Sequence, residues 1–149
     1  MHTKITPSTM NLMKGKEQIL KALEQEHYRF ERYSIPFCLA AINTENGEHF
    51  DSITRSLRKT DILIPLSETC ACVALASTEI DAAVKMGENF IREHDTLNNK
   101  NRIYIGVTSV KHNHLNYDIV SRAFYTLDKA RENNISTVED DNILESLKV

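Results

Sequence analysis

Apolar residues return at helical intervals near the start of the chain. Between Leu12 and Tyr33 they recur every three, four or seven positions on one face, and charged residues cover the other face. The residue before Pro36 is pushed out of the α region, so the helix is predicted to end ahead of this proline. The pattern therefore predicts an amphipathic helix that packs either on a partner helix or back on the chain's own domain.

Short apolar runs alternate with amphipathic segments through the rest of the chain. The predicted strands lie at residues 37–42, 61–66, 70–76 and 103–107. The predicted helices lie at residues 50–57, 78–91 and 116–131. A short last strand is predicted at residues 135–138, followed by a polar tail from Glu139. Proline has no N–H for a ladder, so Pro65 is expected at a sheet edge or a bulge. Asparagine tolerates the left-handed conformation, so Asn133 and Asn134 are expected to stop the last helix.

The order β-α-β-β-α-β in the middle of the chain is the ferredoxin-like arrangement, in which helices cover one face of a sheet. We therefore expect an α+β domain at residues 34–149. A tail and the amphipathic helix occupy residues 1–33 before it. Many unrelated functions use this architecture, so the order of elements alone indicates no activity.

Composition narrows the classes of partner. The 149 residues carry a formal net charge of −3, and the basic residues are scattered, so no DNA or RNA partner is expected. No apolar run approaches the roughly 20 residues that span a bilayer, and the first residues lack the apolar core of a signal peptide. We therefore expect no membrane partner and a cytoplasmic location. Cys38, Cys70 and Cys72 lie in apolar surroundings without metal or redox spacing, which predicts buried structural thiols.

The segment from Arg58 to Ala71 reads R-K-T-D-I-L-I-P-L-S-E-T-C-A. It resembles the signature hairpin of GGDEF diguanylate cyclases, which typically read R-x-x-D, five residues, and then G-G-D-E-F. Residues 37–43 resemble the first strand of that family, which ends in a metal-binding aspartate. Residues 104–107 resemble its S-I-G-V strand, and residues 122–131 its R-A-D-x-A-L-Y-x-A-K helix. The resemblance implies a ferredoxin-like βαββαβ nucleotide-cyclase-type sheet with an N-terminal amphipathic helix and a C-terminal helix.

The departures from the family pattern fall on its chemistry. Family members join two GTP molecules into cyclic di-GMP with metal ions, which need carboxylate oxygens. The resemblance places Asn43 at the strand-end aspartate, and Thr69 and Cys70 at the acidic hairpin positions. Ser67 and Glu68 replace the hairpin glycines, and the stretch that reads guanine is missing. We therefore expect a degenerate GGDEF-like domain that is not an enzyme and holds no metal or cofactor. The alternative is that carboxylates at other positions have replaced the missing metal ligands.

Three functions remain open. The first is a signalling or protein-interaction domain that contacts a partner, or a second copy, through its N-terminal helix. The second is a cyclic di-GMP receptor, because the R-x-x-D element forms a product-binding inhibitory site in active family members. Arg58 and Asp61 would then bind the ligand; otherwise Arg58 is a solvated helix-end cation and Asp61 a turn residue. The third is an unrelated enzyme on the same fold, with candidates His112, His114, Tyr117 and Asp118.

Overall fold

The computed structural model describes residues 7–45, 50–95, 102–111 and 116–145. Within these ranges, five strands form one sheet, and five helices accompany them. The helices are α1 Pro7–Tyr33, α2 Phe50–Ser56, α3 Ile80–Asp95, α4 Asn116–Arg131 and α5 Asn142–Glu145. The strands are β1 Cys38–Thr44, β2 Ile62–Pro65, β3 Cys70–Leu75, β4 Ile103–Ser109 and β5 Thr137–Asp140.

The strand order β2-β3-β1-β4-β5 contains the predicted ferredoxin-like unit. β1 lies between β3 and β4 and runs antiparallel to both, and β2 pairs antiparallel with β3. β5 extends the sheet by pairing in parallel with β4. Pro65 ends the edge strand β2, as predicted, and Asn134 follows α4 with a φ of 57°.

The two helices of the central unit cover one face of the sheet, as predicted, and two helices outside this unit cover the other face. α2 and α3 pack on one face of the sheet, over Cys38, Ala40 and Ile42 of β1. α1 and α4 cover the other face, over Leu39 and Ala41. Because successive residues of a strand point to opposite faces, β1 is buried on both sides, which explains its nearly continuous apolar sequence.

The N-terminal helix packs back on its own domain. Ile19, Leu23 and Phe30 are buried in the same core as the sheet and α4. Tyr33 was predicted on this stripe, yet it is 61% exposed. Leu12 lies in α1, but its side chain is outside the described residues. The division of the chain at residue 33 therefore does not coincide with a break in the hydrophobic core.

The last strand lies two residues beyond its predicted position. The sequence favoured residues 135–138, whereas β5 covers Thr137–Asp140 and Ile135 is 66% exposed. The register on β4 sets this position, since Tyr104 pairs with Thr137 and the N–H of Ile103 donates to the hydroxyl of Ser136 at 2.9 Å. An edge strand tolerates polar side chains, so the apolar pattern did not mark it. The residues expected to form a polar tail begin inside β5, at Glu139 and Asp140, and Asp141 is only 2% exposed.

Two glycines let helices lie close to their neighbours. A Cβ at Gly106 would overlap the backbone of α4 at Ala123 and Leu127, so β4 and α4 are in direct backbone contact. A Cβ at Gly15 would overlap the side chain of Leu66, so α1 rests on the segment between β2 and β3. None of the helices in the described ranges combines the length and the apolar character that crossing a bilayer requires.

Candidate functional site

The turn between β2 and β3 is held by backbone hydrogen bonds. The N–H groups of Leu66 and Ser67 both donate to the carbonyl of Cys70, each at 3.0 Å. The N–H of Thr69 donates to the Ser67 hydroxyl at 3.3 Å. Ser67 thus stabilises a turn at a position where the resemblance placed a phosphate-approaching glycine.

The end of β1 lies beside this turn. Asn43 is the register partner of Cys70. The side-chain amide of Asn43 donates to the carbonyl of Thr69 at 3.1 Å, and the N–H of Thr44 donates to the same oxygen at 2.8 Å. The Asn43 side chain therefore fastens β1 to the turn, and it brings no negative charge to this end of the sheet.

Cys70 is fully buried at the place of an acidic hairpin residue. Burial raises the pKa of the Cys70 thiol to about 12, against a smaller opposing effect of the Arg131 cation. Burial also raises the pKa of Cys72. Both thiols stay protonated near neutral pH, and a thiol is a poor ligand for magnesium in any case.

Among the described residues, Glu45 and Glu68 carry carboxylates near the hairpin end of the sheet, and both residues are exposed. Glu45 follows β1, and its N–H donates to the carbonyl of Arg102 at 3.2 Å. Within the described ranges, no group of three or more His, Cys, Asp or Glu side chains is arranged to hold a metal ion.

The structure brings Arg58 and Asp61 together as a bidentate ion pair. Nε of Arg58 donates to Oδ2 of Asp61 at 3.2 Å, and Nη2 donates to Oδ1 at 3.1 Å. Two backbone N–H groups also donate to the carboxylate, from Arg58 at 3.1 Å and from Ala76 at 3.2 Å. The Asp61 side chain is 4% exposed, so its acceptor positions are committed to the fold.

The arginine ties three elements together. Nη2 of Arg58 also donates to the Thr78 hydroxyl at 2.6 Å and to the carbonyl of Ala76. The pair thus joins the α2–β2 turn to the end of β3 and the start of α3. The Arg58 side chain is still 54% exposed, and it lines a cavity of about 400 Å³ together with Ser77 and Glu79.

Sequence reasoning missed a second ion pair, which lies at the end of the sheet opposite the hairpin, where β1 begins and β4 ends. The Asp141 carboxylate accepts a hydrogen bond from the Thr108 hydroxyl at 2.7 Å and from Nε of Arg122 at 3.2 Å. Nζ of Lys111 lies 3.9 Å from the same carboxylate. Nothing in the sequence near Asp141 marks it as buried. The one sequence signal for this ion pair was Arg122, which lies in the helix that resembles the R-A-D-x-A-L-Y-x-A-K helix of the family.

The structure does not describe the side chains proposed for an unrelated enzyme on this fold. His112 and His114 lie outside the described residues, and so do the side chains of Tyr117 and Asp118.

No family profile matches the chain, and no curated protein matches it. Solved structures do match it. The GGDEF domain of DgcB from Caulobacter crescentus, in complex with c-di-GMP, gives a TM-score of 0.71 at 11% identity. The match covers 82% of this chain and 87% of that one.

The GGDEF domain of TpbB, or YfiN, from Pseudomonas aeruginosa gives a TM-score of 0.70 at 12% identity, over 88% of this chain and 94% of that one. The chain has a GGDEF-like fold. The GGDEF-like chain is also similar to the diguanylate cyclase SiaD from Pseudomonas aeruginosa, solved with its activator SiaC. That match gives a TM-score of 0.69 at 16% identity, over 83% of this chain and 57% of that one. These matches confirm the nucleotide-cyclase-type sheet.

Proposed function

We propose that this GGDEF-like domain is a non-catalytic signalling module that acts by binding a protein partner. The observation that carries the proposal is the end of β1 beside the hairpin. There the side chains are a hydrogen-bonded amide, Asn43, and a buried, protonated thiol, Cys70. Condensation of two triphosphates needs metal ions to neutralise the charge that develops, and these side chains offer no carboxylate for them.

Retention of the fold without that chemistry supports a role in recognition. The core is complete on both faces of the sheet, and the Arg58–Asp61 pair reinforces it. SiaD, which shares the fold, was solved with a protein activator. A module of this kind transmits a signal by contact, so its partner is a protein.

A turnover assay tests the non-catalytic part of the proposal. The full chain is incubated with GTP and either Mg²⁺ or Mn²⁺, and the products are separated by liquid chromatography with mass detection. A diguanylate cyclase serves as the positive control. We expect no cyclic di-GMP; product that rises in proportion to the concentration of this chain would overturn the proposal.

A second candidate function is a cyclic di-GMP receptor. The half-exposed guanidinium of Arg58 beside a cavity of about 400 Å³ favours it, since arginine binds phosphate and guanine edges in bidentate fashion. DgcB, which shares the fold, was solved with c-di-GMP. The commitment of Asp61 to four internal hydrogen bonds weighs against it, because a guanine would have to compete with them.

Calorimetry separates the two candidates. Cyclic di-GMP is titrated into the wild type, Arg58→Ala and the matched control Arg55→Ala, an exposed arginine in the last turn of α2. Binding that Arg58→Ala abolishes and Arg55→Ala keeps would establish the receptor function. The absence of binding heat in the wild type would end it.

A further inference from the structure

The linker between α1 and β1 is fastened to the segment that leads into α3. This linker follows Tyr33, where α1 ends, and leads to Cys38, where β1 begins. Its Pro36 carbonyl accepts a hydrogen bond from the N–H of Thr78 at 3.1 Å. The thiol of Cys38 donates to the carbonyl of Thr78 at 3.3 Å. Both backbone polar groups of Thr78 therefore hold the place where the chain leaves α1 and enters the sheet.

The side chain of Thr78 is held in turn by Arg58. The Thr78 hydroxyl donates to the carbonyl of Ala76 at 2.7 Å, which leaves its oxygen lone pairs for a donor. Nη2 of Arg58 donates to this oxygen at 2.6 Å. A chain of contacts therefore runs from Arg58 through Thr78 to Pro36, and it joins the α2–β2 turn to the exit of α1.

Two residues in strained backbone conformations adjoin these contacts. In the described ranges, the non-glycine residues with a positive φ are Ser34, Ser77 and Asn134. Ser34, with a φ of 57°, lies in the α1–β1 linker, and Ser77, with a φ of 48°, directly precedes Thr78. A serine stays in the left-handed region only while its surroundings hold it there, and such residues concentrate at segments that switch. The hydrogen bond from Thr78 to Pro36 joins the two segments that carry this strain.

The contact between Arg58 and Thr78 can be displaced from outside the fold. Nη2 of Arg58 carries two hydrogens and faces three acceptors, which belong to Asp61, Ala76 and Thr78. The contact with Thr78 therefore competes with the other two. The Arg58 side chain is 54% exposed, so solvent or a bound molecule reaches its guanidinium while the core stays folded. Withdrawal of the guanidinium removes one hydrogen bond from Thr78, which weakens its hold on the linker.

We infer that Arg58 and Thr78 form a latch on the exit of α1. While the guanidinium contacts Thr78, the latch keeps the left-handed turns at Ser34 and Ser77. The last turn of α1 then stays closed by the hydrogen bond from the N–H of Ser34 to the carbonyl of Phe30, at 2.9 Å. When the guanidinium withdraws, the linker opens more often and the sheet keeps its pairing. The inference goes beyond the proposed function, because it concerns how a change at Arg58 reaches α1, whatever molecule causes that change.

Amide hydrogen exchange, followed by NMR on the full chain, tests the latch. Thr78→Val removes the hydroxyl, keeps the N–H and changes the shape little, and Arg58→Ala removes the guanidinium. We expect the amides of Thr78 and Ser34 to exchange about three- to tenfold faster in both variants, because each variant removes one hydrogen bond from the latch. The amide of Leu66, which is bonded within the hairpin at the opposite end of the sheet, should exchange as in the wild type.

Two control variants separate the latch from a general loss of stability. Arg55→Ala removes an exposed arginine from the last turn of α2 and should leave the exchange of all three amides unchanged. Ile105→Val removes a methyl group from a fully buried side chain of β4, so it lowers the stability of the whole fold without changing the latch. This variant should accelerate exchange at Ser34 and Thr78 no more than at Leu66.

Each of three results for Thr78→Val and Arg58→Ala would overturn the inference. Faster exchange at Thr78 with unchanged exchange at Ser34 would show that the effect stops at the start of α3. Equal acceleration at Ser34, Thr78 and Leu66 would show a general loss of stability. Unchanged exchange at Ser34 and Thr78 would show that the guanidinium does not hold the linker. None of these results concerns partner binding or turnover, so the proposed function would stand or fall by its own assays.

Discussion

At the scale of single residues, the R-x-x-D element shows how a ligand motif can act within a fold. Arg58 and Asp61 were predicted to bind a ligand or to lie at a helix end and a turn. The structure gives them the internal partners described above, and the N–H of Asp61 closes the turn on the carbonyl of Arg58 at 3.0 Å. Ligand binding by this pair stays a prediction, but its structural role leads to a stability test.

Asp61→Ala should lower the free energy of unfolding by about 2–4 kcal/mol, because it leaves the buried N–H of Ala76 without its acceptor. Arg58→Ala should cost about 1 kcal/mol, since the guanidinium is half-exposed and screened by solvent. Urea denaturation measures both, with exposed Lys59→Ala as a control expected to change little. A neutral or stabilising Asp61→Ala would contradict the structural role.

The buried thiols predict a loss of stability in alkali. Burial raises the pKa of Cys38 and of Cys70 from 9.0 to about 12 in the folded chain. Unfolded thiols lose their protons near pH 9, whereas the folded ones keep them to about pH 12. Rising pH therefore favours the unfolded chain across this window. The free energy of unfolding should fall between pH 9 and 12, and less steeply in the double variant Cys38→Ala/Cys70→Ala. Equal slopes for both proteins would contradict this explanation.

At the scale of elements, hydrophobic periodicity predicted the strands whose own residues are apolar. It failed to predict elements and residues whose burial depends on partners distant in sequence. The strands of the central unit are buried on one or both faces, so apolar runs marked them. The edge strand β5 is half-buried and polar, and its register on β4 displaced it from the predicted residues. Asp141 could not be predicted as buried, because Thr108 and Arg122, which satisfy it, lie far away in sequence.

The contact between β4 and α4 predicts a contrast between two glycines. Gly106→Ala should destabilise the chain by about 3 kcal/mol or more, because a methyl group there meets the backbone of α4, which cannot rotate away. Gly87→Ala is the matched control. Its methyl group would meet side-chain atoms of Val138 at 3.0 Å, and alanine is favoured over glycine in a helix. Thermal unfolding of both variants measures the contrast. Equal effects would mean that α4 does not lie on the backbone of β4.

At the scale of the whole molecule, the fold was easier to predict than the role of its first helix. The amphipathic pattern of α1 was evident, but a stripe of this kind does not reveal what covers it. The structure places Ile19, Leu23 and Phe30 against the sheet and α4, so self-association through this stripe would require α1 to leave its own domain. The face of α1 that is turned away from the sheet is exposed in the described part of the chain.

At this scale, the side chains at the family's metal-ligand positions and the structural ion pairs are seen to lie at opposite ends of the sheet. The side chains that the resemblance places at metal-ligand positions, Asn43 and Cys70 among them, lie at the end of the sheet formed by the hairpin and the close of β1. The ion pairs of Arg58 with Asp61 and of Arg122 with Asp141 lie at the opposite end, where β1 begins and β4 ends. Substitutions at the first end therefore leave the packing of the second intact, which is consistent with the proposal that this domain keeps the fold without the reaction.

Metal-dependent binding of GTP is the measurement that tests this account most directly. GTP is titrated into the full chain by calorimetry, with and without Mn²⁺. The titrations are repeated with Glu45→Gln and Glu68→Gln, which remove exposed carboxylates near the hairpin end of the described structure. The account predicts that Mn²⁺ does not increase GTP binding in any of these proteins. Binding to the wild type that needs Mn²⁺ and is lost in either variant would show a relocated metal site and would contradict it.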